Sequence, residues 1–361
     1  MTLDWSDYRI PLMRRLSVLV LGLLACIHLG GPRALAWDYT YHRLINEAAL
    51  ASLPTNFPAF VRTPAAADRI GFLSGEPDRW RNVKDLSFSH CTAPDHYLDL
   101  EELAVYGLKP ESLPVFRYDF AAELIGFRKA HPDKCPPINE ARNEDHTREL
   151  IGFVPWAIAE NYGKLKSNFS YLKTYEEDGG TPEEIANAKE NIIYVMGTMG
   201  HFVGDAGQPL HTTIHHHGWV GANPQHYRTN SSFHSWIDSG YLNKVGGVKL
   251  EEFETRLHPA QLVSIDGRTA KPEEMFQAAM LFVIGQNKLV EPLYQLDKDG
   301  KLSGEGDKGM EGKAFLEDQM AKSAQLLADI WYSAWQQAPP DIFLKGQLAR
   351  RQQASKNSQK E

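Results

Sequence analysis

The stretch TPEEIANAKENIIYVMGTMGHFVGDAGQPLH, residues 181–211, decides the fold and carries the chemistry. Thr181 is a helix cap, Pro182 suits a first turn, and Glu183 and Glu184 lie near the positive end of the helix dipole. Ile185, Ile192, Val195 and Met199 then recur at helical spacing toward His201, and Pro209 ends the run. His201 and Asp205, four residues apart, share one helix face and can approach the same metal ion. His211 is delivered from the helix exit.

Outward from this stretch the same period dominates. Phe153, Val154, Ala157, Ile158 and Tyr162 predict a helix over Leu150 to Tyr175, with a kink at Pro155. Further helices are expected from Lys271 to Glu291 and from Lys313 to Gln337, where the Leu316, Met320, Leu327 and Trp331 stripe reads as core. Alternation long enough for a sheet is absent, as are internal repeats and a linker that would divide the chain. The expected architecture is all-α, a single-domain helical bundle with long irregular loops over residues 37–346. Residues 347–361 are polar and read as a disordered tail.

Composition narrows the function. The chain has 361 residues, 38 Lys+Arg against 46 Asp+Glu, 14 His and 3 Cys, which is too acidic for a basic nucleic-acid reader. Arg14 and Arg15 precede an apolar run from Leu16 to Ile27, and Ala34-Leu35-Ala36 supplies a cleavage pattern, so residues 1–36 read as a signal peptide. The run is shorter than the roughly 20 residues of a spanning helix. Leu23-Leu24-Ala25-Cys26 offers an alternative lipoprotein cleavage site. The expected destination is secreted or periplasmic. Without its leader the chain carries about −10 and keeps Cys91 and Cys135, which an oxidising compartment would join in one disulfide.

A second His/Asp pair, His234 and Asp238, repeats the four-residue spacing. Imidazole nitrogens and carboxylate oxygens suit Zn²⁺, and five ligands exceed one tetrahedral site, so a multinuclear centre is implied. His42, Asp78, His90 and His96 are the reserve in the N-terminal half. His215, His216 and His217 read as a solvated loop, since consecutive residues do not easily point at one ion. Asp297-Lys298-Asp299-Gly300-Lys301 lacks the glycine and the final glutamate of a calcium loop and reads as a solvated turn.

Trp37 with His42 five residues on, His96-Tyr97-Leu98-Asp99, the Gly204-to-His211 core and His234-x-x-x-Asp238 together resemble the single-strand-specific zinc nucleases of the S-one/P-one type. That family shares a helical fold and a trinuclear zinc site with bacterial zinc-dependent phospholipases C. The resemblance runs from Trp37 to about Asp238 and implies three Zn²⁺. One would be held by the freed α-amine and carbonyl of Trp37, His42 and Asp205. A second would be held by Asp78, His96 and His201, joined to the first through Asp205, and the third by His211, His234 and Asp238. Asp78 would also be catalytic, orienting a metal-bridging hydroxide that attacks phosphorus. Asp68 and Asp85 are rivals for the Asp78 position, and His90 for that of His96. Val220-Gly221-Ala222-Asn223 is similar to the family's base-holding segment and implies that Asn223 binds substrate. Phe72, Trp219 and Tyr227 are candidate stacking platforms.

The function so implied is an exported zinc-dependent nuclease acting on single-stranded DNA or RNA and on nucleoside 3′-phosphates, with no protein partner. Phospholipase C activity on phospholipid and a non-catalytic zinc-binding protein are the alternatives. Asn168 and Asn230 are glycosylation acceptors only in a eukaryotic host.

Overall fold

Thr181 caps its helix reciprocally in the computed structural model, which describes residues 37–358: its hydroxyl accepts from Glu184 N–H, and the Glu184 carboxylate accepts from Thr181 N–H. The helix runs Pro182–Ala206, and from Val195 to Ala206 every residue is buried. A helix buried on all sides needs partners on all sides. The helices Tyr39–Ser52, Pro64–Leu73, Val154–Asp178 and Lys313–Gln336 surround it.

Glycines let two of these partners come close. A methyl group at Gly200 would lie 1.7 Å from Asn46 Oδ1, and one at Gly204 would lie 2.6 Å from His42 Nδ1. Asn46 uses the space to donate to the Ile70 and Gly197 carbonyls, tying three helices together at one buried amide. The Tyr39–Ser52 helix therefore presents His42 directly to the central helix.

The all-α expectation holds. Strand pairing among the described residues is confined to Ser264–Ile265 with Arg268–Thr269, turned at Asp266 and Gly267, both at positive φ, and to one isolated bridge, Leu98 with Gly152. The described residues fall in one compact unit, and none of their helices is long and apolar enough to cross a membrane. The expected leader, residues 1–36, lies outside the described residues.

Five expectations need correcting. Pro155 makes no kink, because it occupies the first turn of Val154–Asp178, where its missing N–H has no partner to lose. The helix expected from Lys271 to Glu291 divides into a 3₁₀ turn at Pro272–Glu274, a helix Met275–Asn287 and a new helix Val290–Lys298. The tail expected to be disordered is instead helical over Ile342–Ser358. Asp341 caps that helix, and Leu344 and Leu348, four apart, are buried. Arg351 binds Glu184 and the Gly179 carbonyl, so the tail seats on the corner between the two 25-residue helices. Cys91 and Cys135 form no disulfide: Cys91 is exposed on the Leu86–Thr92 helix, whereas Cys135 is buried beyond the Arg117–Ala130 helix. The turn expected to be solvated near Asp297 is also tied down, with Leu302 fully buried and Asp297 paired to Arg228.

Candidate metal centre

Three groups of buried His and Asp side chains meet at the C-terminal end of the central helix: His42 with His201 and Asp205, Asp78 with His96 and His201, and His211 with His234 and Asp238. Within each group the ligand atoms lie within 4.8 Å of one another, and each group could hold a metal ion. His201 belongs to two groups. Asp205 joins all three by contact: its oxygens lie 3.4 Å from His42 Nε2, 2.9 Å from His96 Nδ1, 3.2 Å from His201 Nε2 and 3.6 Å from His211 Nδ1.

The chain orients these rings through its carbonyls. His201 Nδ1 donates to the Ser74 carbonyl at 2.7 Å and His211 Nδ1 to the His96 carbonyl at 2.6 Å, which leaves the Nε2 lone pair of each facing inward. Leu98 N–H bonds the His211 carbonyl, so the segment of His96 and that of His211 hold each other. His234 and Asp238 sit on a short helix whose Trp236–Gly240 turn is π-wound, bringing His234 Nε2 to 3.0 Å from Asp238 Oδ2. Gln208 donates to the other oxygen of Asp238 at 2.9 Å.

Trp37 is fully buried beneath the centre, its indole N–H donating to the Gly204 carbonyl, and Asp38 N–H reaches the Asp238 carbonyl. Its backbone thus lies between the turn bearing Asp205 and the turn bearing Asp238. All nine proposed ligands, Trp37 among them, are buried in this one region.

Orphaned atoms test whether cations fit. Nδ1 and Nε2 of His42, Nε2 of His96, Nδ1 of His234 and one oxygen each of Asp78, Asp205 and Asp238 are buried without an aligned hydrogen bond. Two imidazole nitrogens, His96 Nδ1 and His201 Nε2, face each other at 3.0 Å, as do His211 Nε2 and His234 Nε2. Ring nitrogens crowded together in pairs, with unpartnered buried atoms beside them, are what a cation satisfies.

The electrostatics agree for three of the rings, whereas at His201 burial is outweighed by Asp205 and Asp78, which raise its pKa above the ordinary value. Burial pushes His42 and His96 down to about 4 and holds His234 well below the usual histidine range, so these rings are neutral, as ligands must be. Burial opposes ionisation of Asp205, yet His201 and His211 hold its carboxyl well below the usual range. Burial raises Asp238 well above its ordinary value, a carboxylate in want of a cation.

The rivals stand elsewhere. Asp68 pairs with Arg43, Asp85 caps the Leu86–Thr92 helix, and exposed His90 bonds the Asp145 carbonyl. His215 lies flat on Trp219 at 3.9 Å with its Nδ1 accepting Val220 N–H, so the triple-histidine segment is a structured 3₁₀ turn rather than a solvated loop. The stacking also covers one face of Trp219, Tyr227 is buried, and Phe72, 45% exposed, carries the Arg79 guanidinium 4.4 Å over its own ring. Asn223 bonds within its own loop. Its amide donates to the Tyr227 carbonyl and accepts from Tyr227 N–H, both at 2.8 Å, so it braces its own loop.

Arg81 is the residue that sequence reasoning missed. It lies one turn beyond Asp78 on the Glu76–Arg81 helix, with Nη2 at 2.8 Å from Asp78 Oδ1. The Asp-x-x-Arg spacing was the available signal. No family model matches the chain, and no curated protein matches it.

Proposed function

We propose that the protein is an exported zinc-dependent phosphodiesterase that cleaves single-stranded DNA or RNA and acts on nucleoside 3′-phosphates. The observation that carries this reading is the convergence of three buried His/Asp groups on Asp205. The donors are imidazole nitrogens and carboxylate oxygens with no thiolate, a set that suits Zn²⁺. Such ions, when bound, polarise a phosphoryl oxygen and acidify water.

The chain's own groups supply the rest. Asp78, paired with Arg81, accepts a proton or a hydrogen bond from the attacking water and so orients it. The Arg81 guanidinium stands beside that carboxylate and can donate to a phosphoryl oxygen, adding positive charge where an acidic chain must receive an anion. Gln208 fixes Asp238 and the Ser74 carbonyl fixes His201, so the ligands need no rearrangement when substrate arrives. Trp37, placed under the centre, supplies a ligand once cleavage frees its α-amine.

Nucleic acid is favoured over phospholipid because the third group carries Asp238, the acid of the nucleases, where the phospholipases carry Glu. The test is incubation of the zinc-loaded processed protein with single-stranded DNA, RNA, nucleoside 3′-phosphate and phosphatidylcholine, each with and without chelator. Chelator-sensitive release of nucleotides is the expected outcome. Diacylglycerol release without nucleotide release would overturn the substrate, and absence of any turnover would leave a zinc-binding protein. A variant with one residue added before Trp37 should lose zinc and activity. Unchanged metal content would refute ligation by the amine.

A further inference from the structure

Beyond the third group of ligands the cleft has a flank that the chemistry above does not use. His217 is exposed, and its ring centroid lies 5.2 Å from that of His234. Neither of its ring nitrogens makes a hydrogen bond or an ion pair among the described residues. Its neighbours are already engaged: His216 Nδ1 bonds the Thr213 carbonyl and lies 3.8 Å from Asp99, and His215 is stacked on Trp219.

The loop of residues 143–150 joins this flank through Asp99, which neighbours both Ile151 and His216. It is pinned at one end, where Asp145 accepts from Ser89 and its carbonyl bonds His90, and where Asn143 holds Arg148 N–H. It is pinned at the other by Ile151, whose carbonyl takes Asp99 N–H, and by the Leu98–Gly152 bridge. The same Leu98 holds His211, so the loop is registered against a ligand of the third group. Arg148 projects from it, exposed, and its guanidinium has no acidic partner or hydrogen bond among the described residues. Asp99, which donates to the Ile151 carbonyl on one side and lies 3.8 Å from His216 on the other, sets this loop beside the triple-histidine turn. By contrast Arg43, Arg69, Arg79 and Arg117, on the same half of the molecule, are all paired with acids.

An unpaired guanidinium and an unpaired imidazole, held on braced segments next to a metal-ligand histidine, are donors awaiting an anion. We propose that Arg148 and His217 form a second phosphate subsite, which binds the phosphate flanking the scissile one in a single-stranded polynucleotide. Arg148 offers a planar fork to two phosphate oxygens, and His217 a ring N–H to one. The subsite rests on the nuclease reading, and it makes the enzyme discriminate by length: a strand engages both places, a nucleoside 3′-phosphate only the first.

The experiment compares zinc-loaded wild type with R148A, R148K and H217A. Cleavage of a single-stranded oligonucleotide and of a nucleoside 3′-phosphate is measured, together with binding of a cleavage-resistant phosphorothioate oligonucleotide by fluorescence anisotropy across a salt series. R148A is expected to raise KM for the oligonucleotide roughly three- to tenfold at similar kcat, and to reduce the salt slope of binding by about 0.7. R148K restores most of that slope, H217A raises KM alone, and the nucleoside 3′-phosphate is cleaved unchanged by all three. An R148A protein that matches wild type in oligonucleotide KM and salt slope, or that loses both substrates equally, overturns the subsite while leaving the nuclease reading intact. A wild type that cleaves no nucleic acid sinks that reading instead, and the subsite then falls too if anisotropy detects no binding or no loss in R148A.

Discussion

Removing metal from the protein should cost more stability than any single substitution. In the metal-free chain seven buried atoms of His42, His96, His234, Asp78, Asp205 and Asp238 lack an aligned partner. At about 1–3 kcal/mol for each unsatisfied buried group the total is roughly 7–20 kcal/mol. Linkage gives a similar figure by a separate route: three ions, each free at about a thousand times its Kd, contribute about 4 kcal/mol apiece, or about 12 kcal/mol. In a domain of this size each kcal/mol moves the melting temperature by about 2 °C, so chelation should lower it by roughly 20 °C. Differential scanning calorimetry before chelation, after it and after zinc is restored measures the shift, and elemental analysis should find about three ions per chain. A shift under about 3 °C, or a chain that folds with one ion, would refute the argument that these orphaned atoms are metal ligands.

Three further outcomes follow from particular contacts. Gly204→Ala places a methyl 2.6 Å from His42 Nδ1, so it should destabilise the protein by about 1–3 kcal/mol and lower its zinc content, read by denaturant melts and elemental analysis. Asn223→Ala loosens the loop that its amide braces through Tyr227. It should therefore raise KM for substrates of every base alike, whereas a change in base preference would restore the base-binding role. His215 accepts Val220 N–H through Nδ1, which requires the neutral ring, and burial lowers its pKa below the ordinary value. A lowered histidine gives its full stabilisation above about 6.5 and loses it as pH falls through the folded value. Acidification below the ordinary histidine range should release the stack on Trp219, seen as a fluorescence change that a His215→Gln variant lacks.

Much of the centre was legible because the helix itself does the positioning. His201 and Asp205 are related by one helical turn and His211 by the proline exit, so spacing alone put them on one site. His42, Asp78 and His96 converge from other elements, and no local period predicts that Ser74 hands a carbonyl to His201 or that Asn46 fixes the approach of the first helix. Those three ligands were reached through a resemblance between motifs. Asn223 matches a motif by type and position, and nothing in that match tells that its amide bonds a backbone four residues away. The tail was misread because polar composition hides the two leucines that suffice to seat a helix on a ready-made corner. The cysteine pairing failed because compartment and count say nothing of whether two thiols face each other.

The three groups gathered about Asp205 draw on His42 in the first helix and on Asp238 about 200 residues later, with no disulfide among the described residues to join them. Cations held there would act as a cross-link closing a loop of about 200 residues, the length at which chain-entropy arguments give a covalent bridge about 5 kcal/mol. The first helix, which enters the core through the glycine notches, would be clamped to the last ligand-bearing turn by coordination. Such a clasp opens with a chelator rather than a reductant. Loss of metal should then release the N-terminal helix first, leaving a protease-sensitive segment ahead of a core that still holds.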